Sequence, residues 1–190
     1  GAGQLGDGTT IDRQVPADVS GLASGVAAVA AGTFHSCALT TSGGVKCWGD
    51  NFFGQLGDGT TIDRSAPVDV SGLASGVVAI ATGANHTCAV TDAGGVKCWG
   101  QNTIGQIGDG TLTHRSAPVD VAGLASGATA VAAGGTHTCA LLASGGVRCW
   151  GGNGTGQLGD TTMFNRFTPV DVWGLQSDVS AITTGSAHTC

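Results

Sequence analysis

Short apolar runs alternate with glycine-rich polar segments along the whole chain. Between residues 51 and 101, NFFGQLGDGTTIDRS (51–65) is rich in Gly, Asp, Asn and Thr and reads as loop. PVDV (67–70) alternates apolar and polar positions, with its proline at the first position, where a strand tolerates a missing N–H. GLASG (72–76) is a turn, and VVAIAT (77–82) is an apolar run of small and β-branched residues closed by Gly83, the pattern of a buried strand. HTCAVT (86–91) and VKCW (96–99) flank DAGG (92–95) as the two arms of a hairpin. Four short strands are predicted here, with no helical periodicity.

The pattern recurs every 51 residues. GQLGD begins at Gly3, Gly54 and Gly156, and GQIGD at Gly105. In the same frame fall Pro16/Pro67/Pro118/Pro169, His35/His86/His137/His188, Cys37/Cys88/Cys139/Cys190 and Trp48/Trp99/Trp150. A repeat of this length is one supersecondary unit that buries its apolar face only by stacking on its neighbours. The predicted fold is all-β: a β-propeller of four-stranded antiparallel blades, with about 3.7 repeats in a single array over residues 1–190. The units run approximately 1–50, 51–101, 102–152 and 153–190, the last one incomplete. Helix competes for Ala-rich stretches such as Val26–Ala31, but six residues between glycines do not repay helix nucleation.

The cysteines fix a register. Cys37/Cys47, Cys88/Cys98 and Cys139/Cys149 are each ten residues apart. Setting Cys37 opposite Cys47 leaves the three-residue loop Thr41-Ser42-Gly43, a favoured hairpin type with glycine at the left-handed position. The equivalent loops end in Gly94 and Gly145, which supports the same register. Opposed residues of a narrow antiparallel pair lie within disulfide range, so three hairpin disulfides are predicted, with Cys190 a free or intermolecular thiol. Buried reduced thiols and zinc are the alternatives. Stapled hairpins point to an oxidising location: extracellular, periplasmic or cell surface.

Composition narrows the partners. Charged residues make up 11% of the chain against a usual ~25%, and 35 glycines suit many tight turns rather than disorder. With a net charge of −6 and seven Lys and Arg, the chain has no basic stripe for nucleic acid. The longest apolar stretch, GVAAVAAG (25–32), is far short of a membrane span. Gly1 aligns with Phe52 and Cys190 with Cys37, both in mid-repeat, which is expected of part of a longer chain or a processed piece.

AAGTFHSCAL (30–39), ATGANHTCAV (81–90) and AAGGTHTCAL (132–141), with their following CWGxN and GQLGD or GQIGD segments, resemble the regulator of chromosome condensation repeat family. The resemblance implies blades of a ring that usually has seven, so this chain corresponds to a partial ring or a fragment of one. The paired cysteines depart from the family pattern, where those positions are commonly aliphatic or aromatic. Members range from a guanine-nucleotide exchange factor to a secreted enzyme inhibitor and scaffolding domains. The exchange activity depends on an inserted wedge, and no insertion breaks the 51-residue step here.

Positions that repeat read as scaffold. His35, Cys37 and Cys47 converge on one face, but a C-x₂₋₄-C knuckle and a fourth ligand are lacking, so the His is expected to bond backbone in a repeated turn. GAGQLG (1–6) and GTGQLG (154–159) match a phosphate-loop pattern without its strand-then-helix context. Asp58 and Asp63 in GDGTTID do not meet a calcium-loop pattern. Asp7, Asp58, Asp109 and Asp160 are expected to cap backbone N–H groups in turns, and Arg13, Arg64, Arg115 and Arg166 to pair with Asp18, Asp69, Asp120 and Asp171. Trp48, Trp99 and Trp150 are expected between adjacent blades, whereas Trp173 replaces Ser20, Ser71 and Ala122 and reads as an exposed binding residue.

Positions that vary between repeats are where specificity can lie. Phe34, Phe52, Phe53, Asn85, Thr103 and Ile104 fall in connections at one end of the blades and, with Trp173, form the candidate binding face. Their alternative role is packing under the neighbouring blade. No cofactor and no catalytic group are implied. The expected function is a non-enzymatic module binding a protein or other macromolecule outside the cytoplasm. Its alternatives are a self-associating surface-assembly or adhesin subunit, whose blades are completed between chains, and a zinc-binding repeat protein.

Overall fold

The computed structural model describes residues 1–190, all of it strands, turns and loops. Strands β1 (Val26–Ala31), β2 (His35–Thr40), β3 (Val45–Gly49) and β4 (Arg64–Asp69) form the first sheet. The second comprises β5 (Val77–Thr82), β6 (His86–Thr91), β7 (Val96–Gly100) and β8 (Arg115–Asp120). The third comprises β9 (Ala128–Ala133), β10 (His137–Leu142), β11 (Val147–Gly151) and β12 (Arg166–Asp171). Each is an antiparallel meander, and no helix is long and apolar enough to cross a membrane.

Sheet membership differs from the sequence reading in one respect. The proline strand opens at Arg64 and closes the sheet before it, with Lys46 opposite Asp69 and Cys47 opposite Val68. Pro67 therefore lies on an edge strand, where its missing N–H breaks no ladder. The opposite edges, β1, β5 and β9, approach one another across the sheets and are the innermost strands. These strands are less buried than their apolar sequences imply: Val29 is 74% exposed and Val78 54%.

The hairpin register is the one the cysteines require. Cys37 pairs with Cys47, Cys88 with Cys98 and Cys139 with Cys149, as disulfides with Cα atoms 4.1 Å apart. Gly43, Gly94 and Gly145 take φ of 80°, 76° and 77° in the turns, which L-residues with a Cβ avoid.

The core lies between sheets. Leu39 and Val45 of the first sheet, with Leu56, Val70 and Leu73 from its connections, pack against Val77, Ala89 and Trp99 of the second. Ile107, Val121 and Leu124 repeat this against Ala128, Val131 and Trp150. A single sheet exposes both faces, so each blade is stabilised by its neighbour.

Candidate functional site

Each blade grips the next through buried polar groups. Gln55 follows β3 and enters the space beside the second sheet, where its main-chain carbonyl accepts hydrogen bonds from Trp99 Nε1 and Thr87 Oγ1, both at 2.9 Å. The Gln106 carbonyl accepts from Trp150 Nε1 at 3.0 Å and Thr138 Oγ1 at 2.9 Å. The Gln4 carbonyl takes Trp48 Nε1 at 2.8 Å. The three tryptophans thus stand between blades, as their recurrence predicts.

The histidines bond across blades rather than to local backbone, which corrects the sequence expectation. His35 Nε2 lies 2.9 Å from Thr87 Oγ1, and His86 Nε2 2.9 Å from Thr138 Oγ1. The threonine's one proton goes to the glutamine carbonyl, so the ring donates from Nε2 and is the neutral Nε2–H tautomer. Burial holds His35 down to about 4 and His86 to about 3, the latter also repelled by His35 and His137. The ring's place depends on the glycine three residues earlier: a Cβ on Gly32 would stand 2.5 Å from His35 Cε1 and 2.6 Å from the Gly83 carbonyl oxygen.

Acidic groups follow the predicted turn role but a different ion-pairing scheme. Asp58 Oδ1 accepts from the Thr60 N–H and hydroxyl at 2.9 and 2.7 Å, while Arg64 pairs with Asp58 at 2.8 Å instead of with Asp69. Asp69 pairs with Lys46 at 2.6 Å, because the β3–β4 register sets the two side by side. Arg13–Asp7, Arg115–Asp109 and Arg166–Asp160 repeat the first arrangement. Arg148 takes Asp171 and Lys97 takes Asp120. Burial opposes ionisation of Asp160, yet hydrogen bonds from Thr162, Arg166 and Asn153 outweigh it and hold the carboxyl at about 2.

Sequence reasoning gave no role to the asparagine that closes each CWGxN motif. Asn51 is buried; its Nδ2 donates to the Thr60 and Ile62 carbonyls at 3.1 Å, and its Oδ1 accepts from the Leu56 N–H at 2.9 Å. Asn102 and Asn153 do the same. Its recurrence in frame was the available signal.

These contacts consume the repeating polar groups internally. The six hairpin cysteines are bonded to one another, so the thiolates of a Cys–Cys–His zinc site are absent. Cys190 is free and exposed.

The variable residues divide by exposure. Phe34, in the β1–β2 turn, is 52% exposed, and Phe52, in the β3–β4 connection, 72%. These two connections leave the same end of an antiparallel sheet. Thr103 is also exposed. Phe53, Asn85 and Ile104 are half-buried: Phe53 packs edge-on against His114 of the next repeat at 5.1 Å, and Asn85 Nδ2 donates to Gln101 Oε1 at 3.3 Å. Trp173 is 75% exposed but follows β12, at the end of the sheet opposite the β11–β12 connection, so it does not join the others.

Comparison with known proteins accounts for the repeat. The Regulator of chromosome condensation (RCC1) repeat matches residues 1–39, 42–90, 93–141 and 144–190. Human HERC4, named Probable E3 ubiquitin-protein ligase, is 39% identical over 177 residues, which cover 90% of this chain and 17% of that protein. The Arabidopsis thaliana ultraviolet-B receptor UVR8 is 32% identical over 191 residues, covering 98% of this chain and 43% of the receptor. The chain thus spans less than half of either relative. Among solved structures, human WBSCR16 superposes with a TM-score of 0.83 at 26% identity, covering 99% of this chain and 51% of that one. Yeast RCC1 (Prp20), solved with Kap60, gives 0.73 at 24% identity, covering 86% and 40%, which shows the fold. The sheets are propeller blades, and the chain belongs to the regulator of chromosome condensation (RCC1) repeat family.

Proposed function

We propose that the chain is a non-enzymatic, protein-binding segment of a propeller, working in an oxidising compartment outside the cytoplasm. The observation that carries the reading is the division of labour between positions. The recurring His, Trp, Asn, Asp and Arg side chains are engaged within and between blades, whereas Phe34 and Phe52, which do not recur, are exposed at one end of the sheets. Exposed aromatic groups on a rigid scaffold are what protein interfaces use as anchors. Phe53, Asn85, Thr103 and Ile104 extend this face, and Trp173 is a separate anchor at the other end.

Relatives of this fold supply the partner class. Yeast RCC1 was solved bound to Kap60, and the yeast protein Prp20p is described with binding properties to Gsp1p and histones. Those partners belong to those proteins. Three disulfides inside the blades support the compartment.

The test is capture of partners from extracytoplasmic material with the intact chain, alongside Phe34→Ser and Phe52→Ser variants and a Val78→Ser control, exposed at the opposite end of the sheets beside the β2–β3 turn. Loss of a partner with the two phenylalanine variants but not the control supports the face; equal retention by all three refutes it. A chain that folds equally well and retains free thiols in its native source would overturn the compartment.

A further inference from the structure

No Lys or Arg side chain is left without an acidic partner. Each of the seven forms an ion pair with an aspartate of its own, from Arg13 with Asp7 to Arg166 with Asp160. The net charge of −6 therefore resides on the remaining six aspartates: Asp12, Asp18, Asp50, Asp63, Asp92 and Asp178.

Two of these carboxylates bracket the exposed aromatic group of the β3–β4 connection, which is seated between the first and second sheets. Asp63 Oδ1 accepts the Asn51 N–H at 2.8 Å, immediately before Phe52, and its other oxygen has no partner in the chain. Asp50 accepts from the neutral Gln55 amide, whose own Oε1 takes the Phe53 N–H at 2.9 Å. Asp63 is exposed and Asp50 half-buried. The Phe52 ring lies 4.9 Å from that of Phe53, at 90° to it. Phe34 is joined to the same segment, its carbonyl accepting the Asp50 N–H at 2.9 Å.

This combination does not recur. Where the first connection has Asp50, Phe52, Phe53 and Asp63, the second has Gln101, Thr103, Ile104 and His114. The third has Gly152, Gly154, Thr155 and Asn165. The turn does not need the Asp63 charge, since His114 Nδ1 and Asn165 Oδ1 take the equivalent N–H of Asn102 and Asn153, both at 2.9 Å. It does not need the Asp50 charge either: with Gly152 in that place, Gln157 Oε1 still accepts the Thr155 N–H at 2.9 Å. Both negative charges exceed what the fold uses, and both stand beside the connection that carries a pair of phenylalanines.

We propose that this face takes an arginine-bearing segment of a protein partner, whose guanidinium groups meet the Asp50 and Asp63 carboxylates and the Phe52 ring. The inference rests on the protein-binding reading of the same face and adds the chemistry of the partner. A guanidinium suits the site better than an ammonium, because its planar fork hydrogen-bonds carboxylates while its face stacks on an aromatic ring. Unpaired carboxylates at the same place disfavour acidic partners. His114 brings no opposing charge, because its Nδ1 accepts the Asn102 N–H and the ring is neutral. Arg64, next to Asp63 in the chain, is already held by Asp58 through two nitrogens at 3.0 and 2.8 Å.

The probes are two fluorescein-labelled peptides of equal length, one alternating arginine with leucine, the other alternating citrulline, its neutral isostere, with leucine. Binding to the intact chain is read by anisotropy. At about 50 mM salt the arginine peptide should bind at least about tenfold tighter than the citrulline peptide, and the difference should shrink at about 0.5 M. The double variant Asp50→Asn/Asp63→Asn, which can keep the turn bond as Asn165 does, should weaken the arginine peptide about tenfold. Phe52→Ser should weaken it about fivefold. Asp92→Asn/Asp178→Asn removes the same charge at the opposite end of the sheets and should change affinity less than about twofold. Absence of binding, equal affinity for the two peptides, equal losses from the two asparagine pairs, or indifference to Phe52→Ser would each overturn the proposal. The protein-binding reading is separable. It falls if captured partners are retained by Phe34→Ser and Phe52→Ser, and it stands without the arginine if those variants lose a partner that Asp50→Asn/Asp63→Asn keeps.

Discussion

His86 Nε2 and Thr138 Oγ1, in neighbouring blades and 52 residues apart, are joined by a buried 2.9 Å hydrogen bond. The threonine passes its own proton to the Gln106 carbonyl, so three segments from two blades meet in one directional chain. The buried site favours the neutral ring: an imidazolium would keep the Nε2 bond but add a second N–H at Nδ1, which has no acceptor. The fold's polar latch is therefore coupled to pH.

The sign follows from the lowered histidine values. In the unfolded chain these rings protonate near 6.5, and in the fold at about 4 for His35 and about 3 for His86, so below 6.5 the unfolded state binds more protons. Stability is full above 6.5 and falls as pH drops toward the folded values, by about 1.4 kcal/mol per pH unit for each ring held neutral. The turn carboxylates Asp58 and Asp109 act in the same direction at lower pH. Burial opposes their ionisation but is outweighed by threonine and arginine hydrogen bonds, so their contribution is lost as pH falls below 3.8. Thermal midpoints should be flat from pH 8 to 6.5 and decline steadily to pH 4. A flat profile down to pH 4 would refute neutral latches.

Each disulfide closes a short hairpin, with a sequence separation of 10. Chain-entropy reasoning gives about 2–3 kcal/mol for a loop of that size. The double variant Cys88→Ala/Cys98→Ala should lose about that much in urea unfolding, with the slope nearly unchanged. Full reduction should lower stability by more than any one pair does.

Two glycines separate steric crowding from backbone strain. A Cβ on Gly83 would collide with the His86 ring and the Gly134 carbonyl, whereas one on Gly72 would meet nothing within 4 Å and suffers only from a φ of +73°. Gly72→Ala should cost about 1 kcal/mol and Gly83→Ala about 3 kcal/mol or more. Equal losses by denaturant titration would show that the latch tolerates displacement.

The two kinds of ion pair should differ in worth. Arg115 meets Asp109, whose side chain is 7% exposed and also caps Thr111, while Lys97 meets Asp120, which is 78% exposed. Arg115→Ala is expected to cost about 1–2 kcal/mol and Lys97→Ala less than about 0.5 kcal/mol. High salt should leave the first nearly unchanged.

Local chemistry made much of this molecule legible in one dimension. The strands, the hairpin register and the disulfides follow from spacing and turn residues, because a hairpin is specified within about ten residues. Recurrence marked His86, Trp99 and Asp58 as scaffold, since a group needed at every interface must appear in every repeat. The sequence alone could not assign the proline strand to a sheet, because Arg64–Asp69 has a hairpin neighbour on either side along the chain. The β3–β4 connection decided it by entering the space between blades, where Gln55 meets Trp99. Pairing across blades was likewise decided by stacking. His86 reaches Thr138, Arg64 turns back to Asp58, and Phe53 is half-buried while Phe52 stands free, because burial and hydrogen bonding depend on which surfaces meet rather than on which residues are adjacent.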